Sequence, residues 1–141
     1  MLSPRSLPPR YFTPQEANEL VPRVRAYLLA LRKHGRALRD IDRALDAAVA
    51  ADARAELERA RAEHELGQAH LLERIAALGA ELVDPLEMGR VRFPAMRNGE
   101  PVWLFWSLGE PKVKTWAPIG ARVFGSRPVR GDPGARWEWK N

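Results

Sequence analysis

The chain has no cysteine among its 141 residues. This absence excludes disulfides, thiol nucleophiles and metal sites built on cysteine. The chain also has no apolar run near the roughly eighteen residues that a membrane-spanning helix needs. Its first ten residues are rich in proline and arginine and lack the apolar segment of a signal peptide. We therefore expect no membrane association and a cytoplasmic location.

Catalytic signatures are scarce as well. The sequence has no glycine-rich phosphate loop, no HExxH pair and no nucleophile elbow. Three acidic residues each have a structural explanation: Glu16 caps a helix, Asp84 precedes a proline in a turn, and Glu110 lies in a Gly-Glu-Pro turn. We therefore predict no catalytic residue and no cofactor, and we expect the protein not to be an enzyme.

The chain has only three histidines. His64, His70 and Glu73 are the weak candidates for a metal site, because His70 and Glu73 are one helical turn apart. His64 lies six residues before His70 and faces another way on a helix. Across a hairpin, His34 could approach His64 or His70. We expect structural histidines and no metal.

The formal net charge of +5 is unevenly distributed. Residues 88–141 contain ten basic and four acidic side chains, together with tryptophans in alternating segments. Basic side chains around aromatic rings are typical of surfaces that bind single-stranded nucleic acid, whereas the same tryptophans could form the core of a small domain. The candidate residues for binding nucleic acid or a partner are Arg90, Arg92, Arg97, Trp103, Lys112, Lys114, Arg122, Arg127 and Arg130.

Two long helices are predicted in the first eighty residues. Apolar residues recur every three or four positions from Ala17 to Leu45, interrupted only by His34, and a second series ends before Gly79. A capping box, formed by Thr13 and Glu16 around Pro14, marks the start of the first helix.

These helices can pair in two ways. The chain can fold back near Asp52 as an antiparallel hairpin, or continue as one rod that pairs with a second copy. Residues 13–46 contain seven basic and five acidic side chains, and residues 52–87 contain four basic and nine acidic ones. This opposite net charge favours the hairpin, which would also bring Gly35 level with Gly67.

A change to two-residue alternation after Pro85 predicts strands. Val91–Met96 and Val102–Trp106 flank Asn98-Gly99, a type I′ hairpin signal, and Lys112–Trp116 predicts a third strand. The predicted fold is α+β and mainly α, with a long coiled-coil-like helical hairpin (13–82) followed by a small three-stranded antiparallel sheet (90–129). Together these form a single domain over 11–129, between a disordered leader (1–10) and a flexible basic, Trp-containing tail (130–141).

The chain resembles a small bacterial family known only as domain of unknown function 2203. The first half of the resemblance rests on Tyr11-Phe12-Thr13, Glu16-Ala17-Asn18, Leu20 and Pro22. The second half rests on Leu78-Gly79, Asp84-Pro85, Gly89, Phe93-Pro94-Ala95, Val102, Leu104, Trp106, Leu108-Gly109-Glu110, Trp116, Gly125 and Pro128. The resemblance spans roughly Tyr11 to Val129. It implies a helical hairpin followed by a β unit, and it implies no activity.

The chain departs from the family pattern at four positions. The pattern usually has aspartate, cysteine, histidine and arginine where this chain has Arg92, Phe105, Ala117 and Ser126. If relatives build a titratable site there, this chain lacks most of it.

The sequence therefore predicts a non-enzymatic interaction or scaffold protein. A homodimer or another protein is the expected partner. A nucleic-acid-binding module based on the C-terminal β unit is the alternative, and a metal enzyme centred on His64 is a third hypothesis.

Overall fold

The computed structural model describes residues 11–47, 50–83, 89–119, 127–129 and 139–140. The helices are α1 (Pro14–Ala47) and α2 (Ala51–Ala77), and the strands are β1 (Glu81–Val83), β2 (Arg90–Arg97), β3 (Glu100–Ser107), β4 (Thr115–Pro118), β5 (Arg127–Pro128) and β6 (Trp139–Lys140). Neither described helix is long and apolar enough to cross a membrane. The predicted leader (1–10) and most of the predicted tail (130–138) lie outside the described residues.

The predicted capping box starts α1. The backbone N–H of Thr13 donates to Oε1 of Glu16 at 2.9 Å, and the N–H of Glu16 donates to Oγ1 of Thr13 at 3.1 Å. The helix continues through Pro22, whose nitrogen cannot donate to the carbonyl of Asn18. The side-chain oxygen of Asn18 accepts the N–H of Val113 at 2.6 Å, which ties α1 to the segment before β4.

The two helices form the predicted antiparallel hairpin within one chain. Helix α1 ends at Ala47 and α2 begins at Ala51, close to the predicted fold-back at Asp52, and the two helices contact each other, so the structure contradicts the continuous rod. Helix α2 ends with Gly79 at a φ of +95°. There the N–H of Gly79 donates to the carbonyl of Ala76 at 2.9 Å, and the N–H of Ala80 to that of Ile75 at 3.3 Å. This arrangement is a Schellman motif.

The sheet is larger than predicted. Its order is β1-β2-β3-β4-β5, with the two-residue strand β6 paired to β2, and all its pairs are antiparallel. The prediction of three strands is therefore wrong, since four strands have three or more residues. The additional strand Glu81–Val83 falls partly within the predicted hairpin range. The predicted strand Lys112–Trp116 shifts to Thr115–Pro118, because the N–H of Val113 bonds to Asn18. Strand β6 comes from the predicted flexible tail.

Strands β2 and β3 form the predicted hairpin. Asn98 and Gly99 have φ values of 49° and 82°, and a type I′ turn requires both to be positive. The turn pairs Arg97 with Glu100. Pro94 lies in β2 with its carbonyl accepting the N–H of Phe12 at 2.7 Å, so proline occupies a position that does not bond to β3.

One face of the sheet packs against the helices. The side chains on this face come from alternate positions of β2, β3 and β4 and are buried: Val91, Phe93, Ala95, Val102, Leu104, Trp106 and Trp116. On α1, Val21 and Leu28 are fully buried in this core, whereas the predicted seam ran through Leu20 and Tyr27, which are partly buried. The difference arises because α1 has two apolar stripes. The predicted stripe, through Leu20 and Tyr27, lies beside the one through Val21 and Leu28, which packs against the sheet.

The core lies at one end of the hairpin. Among the described residues after Leu31, α1 has Ile41 as its only buried side chain, and α2 has Ile75 as its only one. Helix α1 is about 51 Å long at 1.5 Å per residue. Among the described residues, therefore, no third layer packs on the half of the hairpin that is remote from the sheet.

We predict that Gly79→Ala destabilises the protein more than Gly109→Ala. Both glycines have positive φ, but a Cβ at Gly79 would lie 2.8 Å from the ring of Phe12, whereas nothing described lies within 4 Å of one at Gly109. The backbone cost common to both is about 1–2 kcal/mol. The clash should add about 1–3 kcal/mol for Gly79→Ala in urea unfolding. Equal losses for the two variants would contradict the packing of Phe12 on Gly79.

Candidate interaction surfaces

Two predicted arginines lie on aromatic rings on the outer face of the sheet, away from the helices. The guanidinium carbon of Arg92 is 4.0 Å from the ring centroid of Trp103, and that of Arg90 is 5.1 Å from the ring centroid of Phe105. Arg92 also forms an ion pair with Glu81, with Nη2 3.0 Å from Oε1. Each arginine thus covers a ring on the neighbouring strand, diagonal to its own position in the register.

The third arginine of β2 lies elsewhere. Arg97 is positioned over Trp116, with its guanidinium carbon 4.5 Å from the ring centroid. Trp116 and Trp106 are both buried in the core, and the Nε1–H of Trp106 donates to the carbonyl of Glu110 at 2.9 Å. These two tryptophans therefore have a structural role, which leaves Trp103 as the half-buried one on the outer face.

This arrangement changes the expected aromatic platform. A stacking platform offers an open ring face to each base. Here the ring of Trp103 carries Arg92 from the same chain. A base could stack on Trp103 from that side only after displacing the arginine. The guanidinium groups, however, are held in fixed positions, where their N–H donors can meet a phosphate.

The other residues predicted to bind nucleic acid or a partner lie apart from the arginines of β2 and from Trp103. Lys112 and Lys114 line a cavity of about 380 Å³ at the start of α1, together with Pro14, Asn18, Val113, Pro128 and Val129. Arg127 contributes its backbone to β5. Arg122 and Arg130 lie outside the described residues. The described members of the predicted set are therefore distributed over several surfaces.

The structure joins two of the three histidines. Nδ1 of His34 lies 2.9 Å from Nδ1 of His64, and the ring centroids are 5.1 Å apart. One ring must donate and the other accept. Gly67 makes room for the pair, because a Cβ there would lie 2.7 Å from Cε1 of His34. The close approach at Gly67 is therefore with the side chain of His34, whereas we expected one with the backbone at Gly35; among the described residues, a Cβ at Gly35 would have only Arg39 and Gln68 side-chain atoms near it.

The predicted metal candidates are not brought together. His64 contacts His34, whereas His70 and Glu73 are exposed on the outer side of α2. Within the described part of the chain, no three His, Asp or Glu side chains are grouped as metal ligands would be.

Two of the three acidic residues with a predicted structural role, Glu16 and Glu110, have that role in the structure. Glu16 completes the helix cap, and Oε1 of Glu110 accepts the N–H of Ser107 at 2.8 Å. Asp84 lies outside the described residues.

Three of the positions that we expected to depart from the family pattern share one face of the sheet. Arg92 lies directly opposite Phe105, and Ala117 is on the next strand on the same side. Phe105 and Ala117 are buried. An arginine, a phenylalanine and an alanine supply no general base. These three positions therefore supply no acid–base pair, and the carboxylate beside them, Glu81, is ion-paired with Arg92.

Two features of the hairpin were missed from the sequence. The first is a cavity of about 350 Å³ on one side of it, lined by Leu31, Arg32, Gly35, Arg36, Leu38, Arg39 and Gln68. Arg32, Arg36 and Arg39 are spaced four and three residues apart and therefore lie on one side of α1. This spacing is the signal in the sequence that could have indicated the cavity.

The second missed feature is the outer surface of α2, opposite α1. Ala55, Ala62 and Ala69 recur every seven residues there, and Leu66 lies among them with 60% of its surface exposed. Small residues at a seven-residue spacing are typical of a surface that packs against another helix, so the sequence contained a signal for this surface. The stripe is separate from the seam that faces α1.

Comparison with known families gives a match over most of the chain. The model of a family described as an uncharacterized conserved protein (DUF2203) matches residues 10–129. No match to the chain was found among curated proteins or solved structures.

We predict that His34 and His64 stabilise the hairpin as a pair. A double-mutant cycle with His34→Ala and His64→Ala at pH 8 should give a coupling free energy of about 0.5–1.5 kcal/mol. His70→Ala is the matched control on the exposed side of α2, and we expect it to change stability by less than about 0.5 kcal/mol. Additive effects of the two alanine substitutions would contradict the contact.

Proposed function

The chain belongs to the DUF2203 family of uncharacterized conserved proteins, and we propose that it acts as a non-enzymatic interaction or scaffold module in the cytoplasm. The proposed interaction element is the part of the hairpin remote from the sheet, and the proposed partner is a second copy of the chain. The observation that carries this proposal is the exposed Leu66, which lies on an alanine-rich helix surface in a region where the described residues form no third layer. The β unit then serves to hold the base of the hairpin.

The outer surface of α2 is complementary to itself. Arg59 precedes Leu66 by seven residues and Glu73 follows it by seven, and all three are exposed. Two copies of α2 packed antiparallel about a two-fold axis at Leu66 would bring each Arg59 close to Glu73 of the other copy. Such an isologous contact uses one surface twice, as C2 dimers do.

Size and burial are also favourable. Alanine at positions 55, 62 and 69 lets two helices approach to the lower end of the 8–10 Å range of helix packing. Burying Leu66 contributes up to about 1.5–3 kcal/mol per copy. The two exposed ion pairs add little, about 0–1 kcal/mol each, but they select the antiparallel orientation.

We predict a concentration-dependent dimer. In sedimentation equilibrium between 1 and about 100 μM protein, the mean mass should rise from the chain mass of 15.9 kDa toward twice that mass. Leu66→Gln should weaken association at least about tenfold, because it removes the central apolar contact. Leu29→Gln is the matched control, since Leu29 is 51% exposed on α1, and it should leave the association unchanged.

A charge exchange distinguishes this surface from other modes of pairing. Arg59→Glu places like charges at both proposed ion pairs and should weaken the dimer, whereas the double variant Arg59→Glu, Glu73→Arg should restore it. A strictly monomeric protein at 100 μM would contradict self-association. A dimer unaffected by Leu66→Gln would contradict this surface.

Nucleic-acid binding is the second candidate function. It is supported by the two outer-face arginines held on aromatic rings. Arg90 lies over Phe105 and Arg92 over Trp103, and Arg92 would exchange its ion pair with Glu81 for one with a phosphate. These arginines add to a β unit that has an excess of basic side chains.

We predict that any such binding depends on salt and on these arginines. Fluorescence anisotropy with a labelled oligothymidine should show affinity at 50 mM salt that falls steeply by 200 mM. Arg90→Gln with Arg92→Gln should reduce the affinity, whereas Arg59→Gln, which removes an exposed arginine on α2, should not. A flat titration at 50 mM salt would eliminate this function.

A further inference from the structure

The cavity on the side of the hairpin lies where α1 extends beyond the sheet. The stripe of α1 that includes Val21 and Leu28 is buried against the sheet. Seven residues after Leu28 the same side of the helix carries Gly35, which lines the cavity. The stripe that the sheet covers therefore continues into an open concave surface.

The cavity lining is basic. The described residues that line it include three arginines and no carboxylate. The acidic residues near these arginines in helical position are Asp40, Asp42 and Glu65. Asp40 is ion-paired with Arg43 at 2.8 Å, and Asp42 and Glu65 lie 3.4 Å and 3.5 Å from side-chain nitrogens of Arg61. Arg61 offsets one of the last two charges, so one negative charge remains against the two positive charges of Arg36 and Arg39. This side of the hairpin therefore keeps a net positive charge.

The floor of the cavity is apolar. Leu31 and Leu38 line it on α1, and Gln68 adds one amide from α2. Gly35 leaves the space open, since the nearest side-chain atoms to a Cβ there would be Nη1 of Arg39 at 3.8 Å and Nε2 of Gln68 at 3.9 Å. A larger side chain at position 35 would project into this space.

We propose that this cavity binds a small amphipathic anion, with its carboxylate, sulfonate or phosphate group on Arg36 and Arg39. The apolar body of the ligand packs on Leu31 and Leu38. Guanidinium groups form charge-assisted hydrogen bonds with such anions, and the volume of about 350 Å³ is within the range of small-molecule pockets. Leu66 lies on the opposite side of α2 from Gln68, so this site stays open whether or not the protein dimerises.

Binding of anilinonaphthalene sulfonate, an aryl sulfonate whose fluorescence rises in apolar sites, tests the proposal. We expect saturable binding of one probe per chain to the folded, full-length protein. Dodecanoate should displace the probe, whereas dodecanol, with the same chain and no charge, should not. A second competition experiment uses vesicles of anionic lipid in place of dodecanoate. Free dodecanoate should displace the probe from the protein, whereas the headgroups on the vesicle surface should not.

Three variants locate the site. Arg36→Gln and Arg39→Gln should each weaken binding about tenfold. Gly35→Leu should abolish it by filling the cavity with no change of charge, whereas Gly35→Ala should retain it because a Cβ fits there. Lys33→Gln is the matched control, as it removes one exposed positive charge from another side of α1.

The proposal is overturned if dodecanol competes as well as dodecanoate, or if Gly35→Leu binds the probe like the unaltered chain while its circular dichroism and melting are unchanged. If Gly35→Leu fails to fold, the arginine variants decide, and undiminished binding by both of them overturns the proposal.

Discussion

The structure depends on the burial of Phe12 at the junction of its three parts. Its ring is fully buried, lies 5.3 Å from the ring of Phe93 in an edge-to-face arrangement, and occupies the space left by the missing side chain of Gly79. Its backbone N–H donates to the carbonyl of Pro94 in β2. One residue thus joins the start of α1, the end of α2 and the sheet. Because both free ends of the hairpin are fixed at this point, the apolar face of the sheet can close over α1.

This constraint divides the molecule into a packed end and a projecting end. At the sheet, α1 is covered on two sides, by α2 and by the strands, and it buries Val24 and Leu28. Farther along, the two helices pack against each other, and their contacts include the imidazole pair of His34 and His64. A two-helix segment buries one stripe per helix and leaves the other sides exposed. The proposed dimer surface and the proposed anion site both lie on this projecting part, where the structure leaves apolar groups accessible.

Local rules allowed much of this fold to be predicted. The capping box at Thr13, the glycine at the end of α2 and the Asn98 turn all depend on residues adjacent in sequence, and all three are confirmed. The sheet was harder to predict because tertiary contacts decide it, as where Asn18 withdraws the N–H of Val113 from the strand pattern. The candidate site was harder still. Basic residues near tryptophans indicated a platform, but only the strand register shows that Arg92 covers a tryptophan of its own chain.

The central claim is that the packed end is self-sufficient and that the projecting end is completed by a second copy. Amide hydrogen exchange at low and high protein concentration tests it most directly. The account predicts strong protection of β2 and β3 at every concentration, and protection of residues 55–73 of α2 that rises with concentration. Protection of α2 that is independent of concentration, or a rise confined to the strands, would contradict it.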